Sequence, residues 1–326
     1  KTDEFNFQQL ATSELYKISI NGKFEKWLDS NMYTNISVSP DGNYVMITKI
    51  NKPFSYLVTY RRFPTSVDIY SSDARLISNL IDLPLIEELP KGFMSVRTGK
   101  RNFSWRADKP STLTYVEALD GGDPSKDVKY RDEVFELNAP FADEGKTILK
   151  TINRFRGIDW GNDNFAIAYD YWWNTRNEKT YVFSPSNIDE KVKVIVDRNY
   201  QDNYSDPGYF ISERNIYNRG VIKIYSGKAF LIGDGYTENG QFPFVDEFDI
   251  KSLNKKRLYQ SSYLDKYESI YDFNAEDNEL FVRIESPIDF PNYFVKSLSG
   301  NYLTQLTSFQ NPFEKIKDAY KKVIKY

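Results

Sequence analysis

The chain has 326 residues, 40% hydrophobic and 16% aromatic, with 25 Tyr and 23 Phe. A chain of this length buries a large core, and so many aromatic residues favour half-buried pleated surfaces over helical bundles, so one overwhelmingly β domain is expected over 1–326. Formal net charge is −3, from 43 basic and 46 acidic residues, which excludes a global field recruiting nucleic acid or an anionic membrane.

In chain order, the first pattern is Leu15 to Ile20, an Asn21-Gly22 turn of the strongest hairpin type, and Phe24 to Leu28. It reads as half a unit. Five fuller units follow, each opening with an apolar stretch that runs into a short polar turn and out again: NISVSPDGNYVMI, NFSWRADKPSTLTYV, GIDWGNDNFAIAY, ISERNIYNRGVIKIY and IYDFNAEDNELFVRI. With Asp41, Asp108, Asp163, Asn218 and Asp277 as turn centres, the period is roughly 55 to 67 residues, longer than the 40 to 50 of an ordinary propeller blade.

The first unit reads as four strands, Ile36 to Ser39, Tyr44 to Ile50, Val67 to Tyr70 and Leu76 to Ile81. The second gives Phe103 to Trp105, Leu113 to Ala118, Glu133 to Leu137 and Thr147 to Thr151. The third gives Gly157 to Trp160, Phe165 to Tyr171, Thr180 to Ser184 and Val192 to Val196, and two more units run from about Gly208 to Ser262 and Tyr267 to Phe309. Four-stranded units in series are propeller blades. The expected fold is an all-β propeller of five full blades plus an N-terminal half blade, an incomplete ring whose unpaired edges invite self-association.

Antiparallel strands alternate in direction. Connections between strands two and three, and between one blade and the next, therefore emerge on one face. The long segments all fall in that class: Asn51 to Ser66, Asp120 to Asp132, Trp172 to Lys179, Gly233 to Phe242, Leu83 to Arg101 and Asn199 to Gly208. Long loops on a rigid scaffold are where binding resides, so this side is the candidate working face. It carries Arg61, Arg62, Arg97, Lys100, Arg101 and Arg176, with Tyr56, Tyr60, Trp172 and Trp173. The plainer alternative for each cation is solvated surface. Trp105 and Trp160 read as blade packing, and Asp41 and Asp108 as turn formers.

The chain contains neither histidine nor cysteine. A histidine relay, a thiolate nucleophile and histidine or cysteine metal sites are all excluded, and no cofactor motif is present: no nucleophile elbow, phosphate-cradling loop, dinucleotide fingerprint or EF-hand. No run approaches the ~20 apolar residues of a membrane span. Lys1 opens the chain without a signal segment, so a soluble mature or excised form is expected. The lack of cysteine leaves the compartment open, with export as the leaning.

Particular strings carry a resemblance. KPFSYLVTYRRFPTSVDIYSSDARLISNLIDLPLIEELP, SVRTGKRNFSWRADKPSTLTYVEALDGGD, YSDPG, FPFVDEFDIKS and LTQLTSFQNPF are similar to the propeller portion of glutamyl endopeptidases, within the prolyl oligopeptidase family of serine peptidases. The resemblance implies a propeller that precedes an α/β-hydrolase domain, covalently linked after residue 326 and holding the Ser-Asp-His triad. It also implies a peptide substrate cut on the carboxyl side of Glu in a cavity between the two domains. This chain would then be non-catalytic, gating and selecting what the hydrolase cuts. A substrate carboxylate there calls for a desolvated cation, and arginine's planar fork suits it. Arg61 or Arg62 is the first expectation for substrate or interdomain contact, with Arg97, Arg101 or Arg176 behind them. Two alternatives remain: a propeller that grips a protein or glycan partner, and a five-bladed glycoside hydrolase using a pair such as Asp159 and Asp272.

Overall fold

The computed structural model describes residues 2–187 and 192–312. A helix, α1 (Thr2–Ala11), comes first, followed by a two-stranded ribbon of β1 (Ser13–Ile18) and β2 (Phe24–Asn31). Blade 1 is β3 (Tyr33–Val38), β4 (Tyr44–Ile50), β5 (Thr65–Ser71) and β6 (Leu76–Leu83). Blade 2 is β7 (Arg101–Trp105), β8 (Thr112–Ala118), β9 (Asp132–Asn138) and β10 (Lys146–Thr151). Blade 3 is β11 (Arg154–Asn162), β12 (Phe165–Trp172), β13 (Asn177–Phe183) and β14 (Lys193–Asn199). Each of these sheets pairs its strands in sequence order, so the chain folds as antiparallel meanders. The half unit and the four-stranded blades stand where the sequence puts them.

The second strand of each blade is where the core concentrates. In β4, Val45, Met46 and Ile47 are all buried, and in β12 Phe165 to Ala168 are. A run buried on both faces reads as continuous apolar sequence rather than as alternation, which is what YVMITKI and FAIAY show. Each fully buried aliphatic side chain there stabilises the fold by about 1.5–3 kcal/mol. The outer strands are more open to water than the second strands, although β10 still buries Ile148, Leu149 and Thr151.

The fourth blade departs from the expected plan. Its sheet is formed by β15 (Tyr209–Phe210), then β19 (Lys228–Gly233), β22 (Phe244–Asp249) and β23 (Lys255–Gln260). Between the first two lie a small hairpin of β16 (Ser212–Arg214) and β17 (Gly220–Ile222) and the short β18 (Ile224–Tyr225), which also pairs with β19. Across the base of the hairpin Lys223 N donates to Ile211 O at 2.9 Å. The first strand is thus one line, interrupted at Ile211 and resumed at Lys223. Its turn into β19 is Ser226-Gly227, both at positive φ, and not Asn218. Asn218 sits in the excursion, so extra length is not confined to the working-face connections as expected. A ribbon of β20 (Tyr236–Thr237) and β21 (Gly240–Gln241) fills the loop before β22. Blade 5 is β24 (Tyr267–Asn274), β25 (Glu279–Glu285), β26 (Asn292–Ser297) and β27 (Leu303–Gln305).

The helix α1 was not expected. Asp3 and Glu4 in its first turn complement the helix dipole. Its Phe7 meets Phe54 and Phe63 edge-on at 4.9 and 5.7 Å. That cluster, with Met32 and Ile50 buried beneath, anchors the long connection between β4 and β5. Among the described residues no helix is long and apolar enough to cross a membrane.

The chain packs as two compact units, one of Lys1–Thr175, Tyr181–Lys193 and Arg214–Gly220, the other of Arg176–Thr180, Val194–Glu213 and Val221–Tyr326. The first has a core around Val116, Leu149, Trp160, Ala166 and Tyr181 and another around Met46, Ile69, Leu113 and Phe141. The hairpin tip belongs to it: Asn215 Nδ2 donates to Ala107 O at 2.7 Å and Arg219 to Val38 O at 2.8 Å. The second unit has its own core of Phe230, Val245, Phe273, Leu280 and Val282.

An arginine pocket on the working face

Within the first unit, connections of the working-face class converge on one pocket of about 370 Å³. The segment entering blade 2 supplies Phe93, Met94, Val96, Arg97, Arg101 and Asn102, and the strand ends of blade 3 supply Arg154, Phe155 and Tyr171. Strand parity had placed these connections together, and they meet here. Arg97, Arg101 and Arg154 therefore line one cavity together with apolar, aromatic and amide neighbours.

Beneath it lies a buried ion cluster. Arg154, only 3% exposed, donates from Nε to Met94 O at 2.9 Å, from one terminal nitrogen to Asp132 Oδ1 at 3.0 Å, and from the other to Asp120 Oδ2 at 2.7 Å. Arg131 also donates to Asp120 Oδ2, at 3.0 Å, and stacks its guanidinium 3.9 Å from the Trp172 ring centre. The two carboxylates are held from behind as well. Gly122 N donates to Asp120 and Phe155 N to Asp132.

Arg101 is bound less completely. It is 6% exposed, and a terminal nitrogen lies 2.5 Å from Asp132 Oδ1. Yet neither that nitrogen nor Nε has a hydrogen-bond acceptor in line with its N–H bonds among the described residues. Buried donors without acceptors are rare, because each forfeits its hydration with nothing in return. Arg97 is half-buried and tied to the backbone, donating to Thr98 O at 3.1 Å and to Lys100 O at 2.5 Å. Burial and the neighbouring Arg101 charge lower its pKa to about 10, so it stays protonated at neutral pH.

The loop carrying Arg97 is fixed by a close approach. Val96 N donates to Gly122 O at 3.1 Å. Phe93, at the rim, packs on Trp173 with ring centres 5.6 Å apart.

Of the arginines singled out from sequence, the structure brings Arg97 and Arg101 together. Arg61 and Arg62 sit on a 3₁₀ turn, Tyr60–Arg62, and do not line the pocket. Neither side chain has a hydrogen-bond or ion-pair partner among the described residues. Arg176 occupies a turn at φ 57°, where its carbonyl accepts from Tyr200 N, and is grouped with the second unit. Sequence reasoning missed Arg154, Arg131, Asp120 and Asp132. The nearest signal was the placing of LDGGD and YRDE at the two ends of one long connection. Asp159 and Asp272 are both exposed and locally engaged, Asp159 accepting from Tyr169 OH at 2.8 Å and Asp272 from Phe273 N at 2.8 Å.

No family model matches the chain. It is 35% identical over 343 residues to a probable chloroplastic glutamyl endopeptidase of Oryza sativa subsp. japonica, covering 99% of this chain and 37% of that protein. The corresponding protein of Arabidopsis thaliana, also named a probable chloroplastic glutamyl endopeptidase, is 33% identical over 344 residues, with 99% and 36% covered. Over nearly its whole length the chain is similar to one segment of these probable glutamyl endopeptidases. It spans little more than a third of the length of these curated relatives. Among solved structures, the β-propeller domain of the Trilobed protease from Pyrococcus furiosus aligns with a TM-score of 0.42 at 12% identity, covering 94% of this chain and 77% of that one.

Proposed function

We propose that this chain is the non-catalytic propeller of a serine endopeptidase of the prolyl oligopeptidase type, and that it helps select acidic peptides for a covalently linked hydrolase domain. The chain has no histidine and so cannot complete a Ser-His-Asp relay itself. The observation that carries the reading is the lining of one pocket on the long-loop face by Arg97, Arg101 and Arg154. A glutamate side chain entering there gains charge-assisted hydrogen bonds in a partly desolvated setting. A glutamine side chain brings no charge and gains less.

The test is the ratio of kcat/KM for matched peptides with Glu or Gln before the cut bond, in the full-length peptidase. Replacing both Arg97 and Arg101 with Gln is expected to lower that ratio at least tenfold, since one hydrogen bond to a charged group contributes about 1.5–3 kcal/mol. An unchanged ratio would sink the reading. Arg61→Gln and Arg62→Gln serve as controls, because those residues lie outside the pocket. Their neighbours Tyr56, Leu57 and Tyr60 are exposed, which suits the other role expected for this loop, contact with the hydrolase domain.

A further inference from the structure

Two working-face connections of the first unit each bring an exposed aromatic residue to the mouth of the arginine pocket. Phe93 is 85% exposed and Trp173 41%, and their rings meet at 5.6 Å with a tilt of 38°. Apolar side chains scattered singly on a surface need no explanation, but here two meet beside a concave pocket. The turn that carries Phe93 is pinned. Ser95 N donates to Gly92 O at 3.1 Å and Ser95 Oγ donates to Pro90 O. The next residue, Met94, is buried in the wall, its carbonyl accepting from Arg154 Nε at 2.9 Å. With Met94 turned inward, Phe93 is left standing at the rim.

Asn102 lines the same pocket. Successive residues of a regular strand point to opposite faces, yet Arg101 and Asn102 both line it, because three steps of β7 from Arg101 to Ser104 face two steps of β8 from Val116 to Thr114. Asn102 holds φ at +55°, a left-handed conformation that asparagine tolerates better than most residues. Its exposed amide has no hydrogen-bond partner among the described residues and offers both donor and acceptor, as a peptide group does. Arg97, on the same lining, has no carboxylate partner among the described residues; each of its terminal nitrogens gives one of two hydrogens to a backbone carbonyl and keeps the other. Cation, amide and aromatic pair thus surround about 370 Å³, near the lower end of small-ligand pockets, which suits a short peptide segment and not a folded partner. We infer that Phe93 and Trp173 form a second subsite, for an aromatic side chain adjacent to the acidic one, so that the preferred ligands are peptides with neighbouring acidic and aromatic residues. The inference rests on the reading of the pocket as an acidic-side-chain site.

Six N-acetyl dipeptide amides separate the possibilities: Phe-Glu and Glu-Phe, their alanine counterparts Ala-Glu and Glu-Ala, and their uncharged counterparts Phe-Gln and Gln-Phe. Each is titrated calorimetrically into the 326-residue chain. In at least one order the Phe and Glu peptide is expected to bind at least about tenfold tighter than its alanine counterpart, the factor that burial of one aromatic ring supplies. Phe93→Ser, whose folding circular dichroism establishes, should erase that margin and keep the preference for Glu over Gln. Tyr225→Ser, which removes an exposed aromatic at another turn, should change neither. If Phe is held no better than Ala in both orders, or if Phe93→Ser leaves the margin intact, the aromatic subsite is overturned; a persisting preference for Glu over Gln then leaves the acidic-side-chain reading standing. If Glu is held no better than Gln, that reading falls and the paired ligand falls with it. If none of the six binds, both are overturned.

Discussion

Gly122 holds φ at +78°, and a Cβ built there would lie 1.9 Å from the carbonyl oxygen of Val96. No flexible side chain can give way, since the clash is with backbone. Gly122→Ala should therefore push away the loop that bears Arg97, lowering stability by at least about 1–2 kcal/mol from the left-handed backbone alone. Differential scanning calorimetry should register a lower Tm, while Gly157→Ala, at ordinary φ and with nothing within 4 Å, should leave it nearly unchanged. A second residue-scale case is Arg106. It is 2% exposed, ion-paired with Asp108 and Glu136, and centred 4.1 Å from the Trp160 ring. Arg106→Ala strands two carboxylates, a change that costs about 3–5 kcal/mol and should show as a lower urea midpoint. Sequence chemistry was enough to read Trp105, Trp160, Asp41 and Asp108 as structural, because turn preference and aromatic burial are local properties. It ranked Arg61 and Arg62 above Arg97 and Arg101 because adjacency is visible along a chain and burial is not.

At the scale of elements, Asp41 does more than shape its own turn. It accepts from Ser39 Oγ at 2.6 Å and Asn43 N at 3.1 Å, and from Ser111 Oγ at 2.5 Å, tying the first turn of blade 1 to that of blade 2. Burial by itself raises its pKa, but the hydrogen bonds from Ser111, Ser39 and Asn43 outweigh it and hold the carboxyl below its usual value. Because the folded pKa is depressed, this stabilisation is present above the unfolded value near 3.9 and is lost as pH falls through the folded one. Ser111→Ala should thus destabilise by about 0.5–1.5 kcal/mol at pH 7 and by less at pH 2.5, as measured by denaturant melts at the two values. Blades 1, 2, 3 and 5 were legible because hairpin turns and buried second strands both leave marks in sequence. Blade 4 misled for a physical reason: NRG and YSGK are two competent turns in tandem, and periodicity chooses neither. Arg214 and Arg219 flanking the first were the available clue, since a strand buried between neighbours does not carry them.

For the whole molecule, the two compact units carry separate cores, and all five tryptophans, at 27, 105, 160, 172 and 173, lie in the first. Tryptophan fluorescence should report the loss of that unit, whereas far-UV circular dichroism follows strands of both. The two denaturation curves are expected not to coincide; superimposable curves would mean that the units unfold as one. The meeting of the segment entering blade 2 with the strand ends of blade 3 was legible because strand direction is a matter of parity, which survives ignorance of every contact. The pocket's inner cluster was not, since Arg154 reaches Asp132 and Asp120 across 22 and 34 residues of chain.

The interrupted strand of the fourth blade also offers an engineering handle. Ile211 and Lys223 already face each other through a backbone hydrogen bond, so a single glycine could splice them and excise 212–222 without altering the remaining ladder. Homologous scaffolds without the loop, or with a foreign loop grafted at that seam, become reachable by one cut and one join.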